Sequence, residues 1–317
     1  MDLGHRLTTL VGRMSPRHAR SVRSLALAAV LAVACGASGP ANPAAAGNDA
    51  VAGVDTSDLT AQERRLFAEM AQHLASPCPG PAAPLASCNA GSNCTLCPLA
   101  AGLVKEQIRR GKPPELVRAA YKARFDPELV REVLLAPSPV LGRADAPVVV
   151  VVWADFECGH CGKAGAILHR LVERHPSQVC LVFKHFPISS HANAEFAATA
   201  AVAAQAQGKF WAFHDRMFET QAVGLGESRV RALARELGLD MAAFEESIAS
   251  DATAAVIRAD RQQALRLGLR GTPMVYVNGR FFDPTHFDLA QDIDAWVRLE
   301  LELAKASGAA SANGATP

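Results

Sequence analysis

The 317-residue sequence has almost no excess of either charge, with 32 lysines and arginines, 31 aspartates and glutamates and a formal net charge of +1. A chain without a basic surplus provides no field that attracts nucleic acid or an anionic membrane surface. The sequence also lacks a phosphate-binding loop and a Ser-His-Asp arrangement, and His185, His191 and His214 do not have metal-ligand spacing. We therefore expect no nucleic-acid partner, no metal site and no bound cofactor.

The apolar run near the N-terminus is too short to span a membrane. It covers Leu25–Ala34, about half of the roughly 20 residues that a bilayer requires. Arg13, Arg17, Arg20 and Arg23 precede the run, which predicts a secretory signal over residues 1–35. The small residues before Cys35 resemble the lipobox of bacterial lipoproteins, in which this cysteine is lipidated. Cleavage at the Ala32-x-Ala34 pattern would instead release the chain without a lipid. In either case we expect the protein on the periplasmic side of the bacterial cell envelope. Of the two outcomes, we expect lipidation of Cys35, which would anchor the protein to the membrane.

Two further segments contain few large apolar residues. Residues 36–58 consist mostly of Ala, Gly, Pro, Asn and Ser, a composition that cannot bury a core and is typical of a flexible tether. Residues 306–317 have a similar composition. We expect a linker at 36–58 and a disordered tail at 306–317.

The sequence pattern of residues 59–135 predicts a small helical module. Thr60-x-x-Glu63 is a capping-box signal, and apolar residues then repeat at helical spacing. A second helix is predicted to run from about Pro98 to Gly111, and a third follows Pro113-Pro114. Three helices over about 70 residues bury a thin core, so that further stabilisation would be useful.

The loop between the first two helices contains Cys78, Cys88, Cys94 and Cys97. Two structural disulfides would stabilise the thin core, and an exported protein meets an oxidising environment. Four thiolates could alternatively bind a zinc ion as a tetrahedron, although the gaps of nine and five residues between the first three cysteines fit no zinc pattern well. Cys94-Thr95-Leu96-Cys97 is also a C-x-x-C motif at a helix N-terminus, which leaves a secondary redox pair open.

One resemblance bears on that redox alternative. The segment Val104–Lys112, followed by a helix ending in Ala123-Arg124-Phe125, is similar to the periplasmic helical domain of the cytochrome c maturation protein CcmH. That family has a C-x-x-C pair shortly before its helix hairpin. The module at 59–135 has four cysteines rather than two, and it lacks the Leu-Arg-Cys opening of the family.

A second C-x-x-C motif follows a strand signal. Val148–Val152 is an uninterrupted β-branched run of the kind that a strand buried on both faces requires. Cys158-Gly159-His160-Cys161 comes shortly afterwards, and apolar residues then recur at helical spacing. A helix N-terminus would stabilise a thiolate at Cys158, and Cys161, one turn on, would resolve a mixed disulfide. Half of a zinc site and a structural bridge are weaker explanations, because no second cysteine or histidine pair at zinc-knuckle spacing follows the helix, and a strand, C-x-x-C, helix order favours a redox motif.

Several segments resemble one family in the same order along the chain. Asp155–Cys161 is similar to the active-site segment of DsbA-like thiol:disulfide oxidoreductases, a group with a helical insertion in a thioredoxin fold. Lys184–Pro187 and Gln207–Asp215 are similar to the third strand and the inserted helices of that group. Gly271–Pro273, ahead of a predicted strand and an Asn-Gly hairpin, resembles its cis-proline turn. The resemblance implies an α/β, thioredoxin-like domain with a helical insertion at residues 138–305.

The resemblance also implies roles for individual residues. Cys158 and Cys161 would be the catalytic pair, with His160 favouring the reduced pair and therefore an oxidising disulfide. Thr272 and Pro273 would face the disulfide and contact the substrate backbone. Substrate proteins with thiols or disulfides would be the partners. A membrane quinone-linked protein of the DsbB or vitamin K epoxide reductase type would reoxidise the pair.

The Gly-His dipeptide between the two cysteines is the one found in protein disulfide isomerases. Reduction or isomerisation, in cytochrome c maturation or disulfide repair, therefore stays open beside oxidation. A non-catalytic, peptide-binding lipoprotein is a third alternative.

Overall fold

The computed structural model describes residues 51–88 and 94–313, with the backbone alone for 306–313. The predicted signal at 1–35, the predicted lipidation of Cys35 and residues 36–50 of the predicted linker lie outside the described residues. None of the helices in the described part of the chain has both the length and the apolar composition needed to cross a membrane.

Three helices form the first part of the described chain: α1 (Ala61–His73), α2 (Leu96–Arg109) and α3 (Pro114–Phe125). The capping box before α1 is present, since the Glu63 backbone N–H donates to Thr60 and the Glu63 carboxylate accepts from the Thr60 N–H. After α2 the chain turns at Gly111, whose φ of 71° lies in the left-handed region that glycine tolerates. Local sequence signals therefore predict where these helices begin and end.

The predicted linker at 36–58 is wrong at its C-terminal end. Val51 and Val54 are only 1% and 7% exposed and belong to the core between α1 and α2. The Ala52 backbone N–H donates to the carbonyl of Cys88 at 3.0 Å. Two valines in a segment of small residues are enough to fill the space beside the helices, so packed structure begins before residue 59.

A mixed five-stranded sheet forms the second part. Its strands are β1 (Val140–Leu141), β2 (Val148–Ala154), β3 (Val179–His185), β4 (Met274–Val277) and β5 (Arg280–Phe281), in the order β1-β3-β2-β4-β5. Strands β2 and β3 pair in parallel and the other neighbours pair antiparallel. The helix α4 (Gly159–Arg174) connects β2 to β3, so its N-terminus lies at the carboxyl end of β2. This confirms the predicted α/β, thioredoxin-like fold.

A helical insertion separates β3 from β4. It contains α5 (Ala194–Ala206), α6 (Phe210–Thr220), α7 (Glu227–Glu236), α8 (Met241–Ile248) and α9 (Asp251–Arg266). Helix α5 is alanine-rich and buried on most of its surface, which lets other helices pack closely around it.

The last helix, α10 (Leu289–Asn313), continues past residue 305, where the composition predicts a disordered tail. Alanine has the highest helix propensity, so the alanine-rich segment extends the helix instead of ending it. Two ion pairs join the first three helices to α10, Arg110–Asp292 and Arg124–Glu300, both at 2.7 Å. The division into a module at 59–135 and a domain at 138–305 stays a prediction.

Candidate active site

Cys158 and Cys161 lie at the first turn of α4, at the end of the central strand β2. Cys158 is the N-cap residue, and the backbone N–H of Cys161 donates to the Cys158 carbonyl at 2.9 Å. Both cysteines are free thiols. Cys158 is 8% exposed and Cys161 only 1% exposed, so the first cysteine is the more accessible of the two.

The surroundings of the two sulfurs differ. Cys161 accepts a hydrogen bond from the backbone N–H of Asp155 at 3.4 Å, and burial raises the pKa of its thiol well above the usual value. The Cys158 thiol donates to the carbonyl of Thr272 at 3.6 Å. The Thr272–Pro273 bond is cis. The fold thus brings together Cys158, Cys161, Thr272 and Pro273 from two distant parts of the sequence.

An open groove with a volume of about 870 Å³ runs past the cysteine pair. The exposed side chain of His160 lines it, as do Thr272 and Pro273. Apolar residues such as Ile167, Met274 and Phe281 also line it. A groove with an apolar lining suits an extended peptide segment.

Asp155 organises the loops around the site, a role that the sequence alone does not predict. Oδ1 of its buried carboxylate accepts from the Glu157 backbone N–H at 2.6 Å. Oδ2 accepts from the Ile188 backbone N–H at 2.6 Å and lies 3.0 Å from Nδ1 of His191. The signal that could have found it is a charged residue directly after a strand in which six of seven residues are buried. Asp155 therefore ties the turn before α4 to the loop after β3.

A second buried charge lies on the neighbouring strand. The Lys184 ammonium is 2.9 Å from Asp260 of α9, whose other carboxylate oxygen accepts from the His185 backbone N–H at 2.9 Å. Burial raises the pKa of Asp260, against the opposing effect of Lys184. Burial also lowers the pKa of His185 to about 3, which keeps this imidazole neutral. No local pattern in the sequence connects residues 184 and 260.

The four N-terminal cysteines form two bridges, Cys78–Cys94 and Cys88–Cys97. The members of the C-x-x-C motif at 94 and 97 are therefore not bonded to each other. The two bridges lie side by side, with the sulfurs of Cys78 and Cys97 3.1 Å apart. In this state all four sulfurs are taken up in disulfides, so no thiolate is available there for a zinc ion.

Comparison with known families gives one match over half of the chain. Residues 135–298 match the family model described as thioredoxin. The probable disulfide bond formation protein D of Bacillus anthracis is 32% identical over 164 residues, which cover 49% of this chain and 76% of that protein.

Other relatives share a smaller part of their length. An Na⁺/H⁺ antiporter, NhaA 3 of Salinispora tropica, is 39% identical over 142 residues, 44% of this chain and 22% of the antiporter. The chain spans about a quarter or less of the length of such antiporters. Among solved structures, oxidised BdbD from Bacillus subtilis is 22% identical with a TM-score of 0.48, covering 55% of this chain and 97% of that one.

Proposed function

The chain belongs to the thioredoxin family, in its DsbA-like group, and on this premise we propose that it is an enzyme that oxidises thiols of substrate proteins through Cys158 and Cys161. The observation that carries the proposal is the position of Cys158. Its sulfur lies at the N-terminus of α4, 3.6 Å from the Thr272 carbonyl at the edge of the groove, while Cys161 is buried behind it. A helix N-terminus stabilises a thiolate and therefore the reduced pair, which makes the disulfide a stronger oxidant.

In the proposed reaction the oxidised pair accepts two electrons. A substrate thiolate attacks Sγ of Cys158 and breaks the Cys158–Cys161 bond, and the Cys161 thiolate that leaves takes up a proton. A second substrate thiolate then attacks the substrate sulfur of the mixed disulfide and releases Cys158 as a thiolate. The substrate gains one disulfide and the enzyme ends with two reduced cysteines.

The raised pKa of Cys161 suits this sequence of steps. Once the disulfide opens, a buried Cys161 holds its proton and is a poor nucleophile. The mixed disulfide then persists until the second substrate thiol arrives. In the opposite direction, the same burial would slow the step in which Cys161 resolves a complex.

We place the protein on the periplasmic side of the bacterial envelope, anchored through Cys35. The two disulfides at residues 78–97 support an oxidising compartment, because such bridges seldom persist in the reducing cytosol. A membrane protein that passes electrons to a quinone would regenerate the Cys158–Cys161 disulfide. His160 lines the groove beside the pair and would add to the stabilisation of the thiolate.

The redox equilibrium of the Cys158–Cys161 pair with glutathione tests the proposal. An oxidant should have a potential well above the value of about −270 mV for thioredoxin, and His160→Ala should lower it. A potential near that of thioredoxin would instead assign the reductase or isomerase role. A Cys158 that fails to exchange with any thiol would leave the fold as a peptide-binding surface.

A further inference from the structure

A cluster of three side chains lies between α4 and α6. His169 is on α4, and His214 and Asp215 are on α6. Nδ1 of His214 lies 2.9 Å from Oδ1 of Asp215, and Nδ1 of His169 lies 3.5 Å from the same oxygen. The two imidazole rings are stacked 5.0 Å apart with 7° between their planes. One carboxylate oxygen is thus shared by two ring nitrogens from different helices.

These distances fit the ligand shell of a small divalent ion. Zinc binds imidazole nitrogen and carboxylate oxygen at about 2.0–2.2 Å in a tetrahedron, which places neighbouring ligand atoms roughly 3.3 Å apart. The two nitrogen–oxygen separations in the cluster lie on either side of that value, and all three donor atoms are within 4.8 Å of one another. We propose that His169, His214 and Asp215 bind a divalent transition-metal ion of the zinc class.

The cluster has an open side through which an ion can enter. A cleft of about 650 Å³ lies between the two helices and is lined by all three residues and by Glu219. Gly162 and Gly165 keep it open on the α4 side, since a Cβ at Gly162 would lie 3.3 Å from Phe218. Accessible zinc sites have this arrangement: three ligands come from the protein, and a water molecule takes the fourth tetrahedral position, which faces the cleft.

The three proposed ligands do not include the redox cysteines, but the cleft that they line extends to Gly159, between Cys158 and Cys161. His169 lies three helical turns beyond Cys158 on the same helix, about 16 Å along its axis. The spacing of histidines in the sequence predicts no metal site, because His169 and His214 are far apart and the contact forms only when α6 packs against α4.

Metal binding is tested on the oxidised, untagged full-length chain, in which a Cys158–Cys161 disulfide prevents those sulfurs from binding metal. Titration with Zn²⁺ against a chelating dye should give one equivalent bound. His169→Ala should weaken binding at least about 100-fold, since it removes one of three protein ligands. His175→Ala is the matched control, because His175 ends the same helix and pairs with Asp294 at 3.2 Å. It should bind Zn²⁺ like the parent chain.

A second measurement reports the position of the ion. The Trp211 ring is 5.2 Å from the ring of His169 and 5.1 Å from that of His214. One equivalent of Cu²⁺ should quench the emission of Trp211, and EDTA should restore it. Trp211→Phe should remove this quenching while Zn²⁺ still binds. Asp215→Asn provides a conservative second variant if His169→Ala does not fold.

Three results would each overturn the proposal. They are no stoichiometric Zn²⁺ binding, equal binding by the His169 and His175 variants, and unchanged quenching in Trp211→Phe.

Discussion

Two C-x-x-C motifs, each at the start of a helix, form different structures in the two regions of this chain. Cys94 and Cys97 flank the beginning of α2, yet each is bonded to a cysteine from the preceding loop. Cys158 and Cys161 flank the beginning of α4, and both are free thiols. Because the spacing is the same, the spacing alone does not decide which motif is a redox pair.

The position of the first cysteine on its helix and the neighbouring sulfurs account for the difference. Cys158 is the N-cap residue of α4, at the positive end of the helix dipole, and its thiol lies beside Thr272 at the groove. In α2 the N-cap is Thr95, and Cys97 is 2% exposed in a core that also contains Cys88. A redox pair needs access and a helix cap, whereas a structural bridge needs a partner sulfur within the same core.

The largest expected effect is on the rate of thiol:disulfide exchange, which should depend on one C-x-x-C motif and not on the other. Cys158→Ser should lower the rate of thiol:disulfide exchange with a reduced peptide by at least about a thousandfold, because it removes the sulfur that forms the mixed disulfide with the substrate. The double variant Cys78→Ala/Cys94→Ala should stay within about twofold of the parent rate. Stopped-flow measurement of peptide oxidation checks both. A large loss in the double variant would make the N-terminal motif a second redox centre.

The next effect concerns the contact between the two regions. Arg124 of α3 and Glu300 of α10 are both buried and lie 2.7 Å apart. Glu300→Gln leaves the guanidinium without its counter-charge, which should cost about 3–5 kcal/mol of unfolding free energy. Urea unfolding followed by circular dichroism measures this loss.

An exposed pair gives the control for that experiment. Arg231 and Glu227 lie 2.7 Å apart on α7, and Glu227 is largely exposed. Glu227→Gln should change stability by no more than about 0.5 kcal/mol. Equal losses in the two variants would contradict the assignment of Arg124–Glu300 as a buried connection between the regions.

The bridges should matter for stability more than for activity. Closing loops of 16 and 9 residues, Cys78–Cys94 and Cys88–Cys97 should each contribute about 3 kcal/mol by restricting the unfolded chain. Replacing either pair with alanine should lower the urea midpoint and leave the glutathione equilibrium of Cys158–Cys161 unchanged. A shift in that equilibrium would show that the two motifs are coupled.

The same comparison indicates how far the sequence predicts the structure. Signals that act over a few residues could be predicted: the capping box at Thr60, the β-branched strand before Cys158 and the Asn278-Gly279 hairpin each depend on near neighbours. The start of α4 at the cysteine pair follows from the same kind of evidence.

Contacts between distant residues could not be predicted in this way. The pairing of Cys94 with Cys78, the burial of Val51 and the contact between Lys184 and Asp260 depend on how helices pack. Neither spacing nor composition indicates such contacts. The residues on either side of one partner carry no information about which distant residue will pack against it. Asp155 is the intermediate case, since its position after a strand is visible although its three partners are not.

The smallest expected effect concerns pH and again distinguishes free from bridged cysteines. Burial raises the pKa of Cys161, whereas an unfolded cysteine has a pKa near 8.5. Above about pH 8.5 the unfolded chain releases a proton that folded Cys161 keeps. The contribution of Cys161 to the free energy of unfolding is therefore complete below that pH. It decreases as the pH rises, by about 1 kcal/mol between pH 8 and 9.5. The bridged cysteines do not titrate and contribute nothing to this pH dependence of stability.

Two variants isolate this effect without added reductant. Cys158→Ser leaves Cys161 as a free thiol with both N-terminal bridges intact, and Cys158→Ser/Cys161→Ala removes the titrating group. Burial also raises the pKa of Cys180, but that thiol is present in both variants and cancels in the comparison. Urea unfolding at pH 8 and 9.5 should show a steeper loss in the single variant, by about 1 kcal/mol. Equal losses would mean that Cys161 is ionised as readily in the folded chain as in the unfolded one, and the proposed order of steps at the cysteine pair would then lose its support from Cys161.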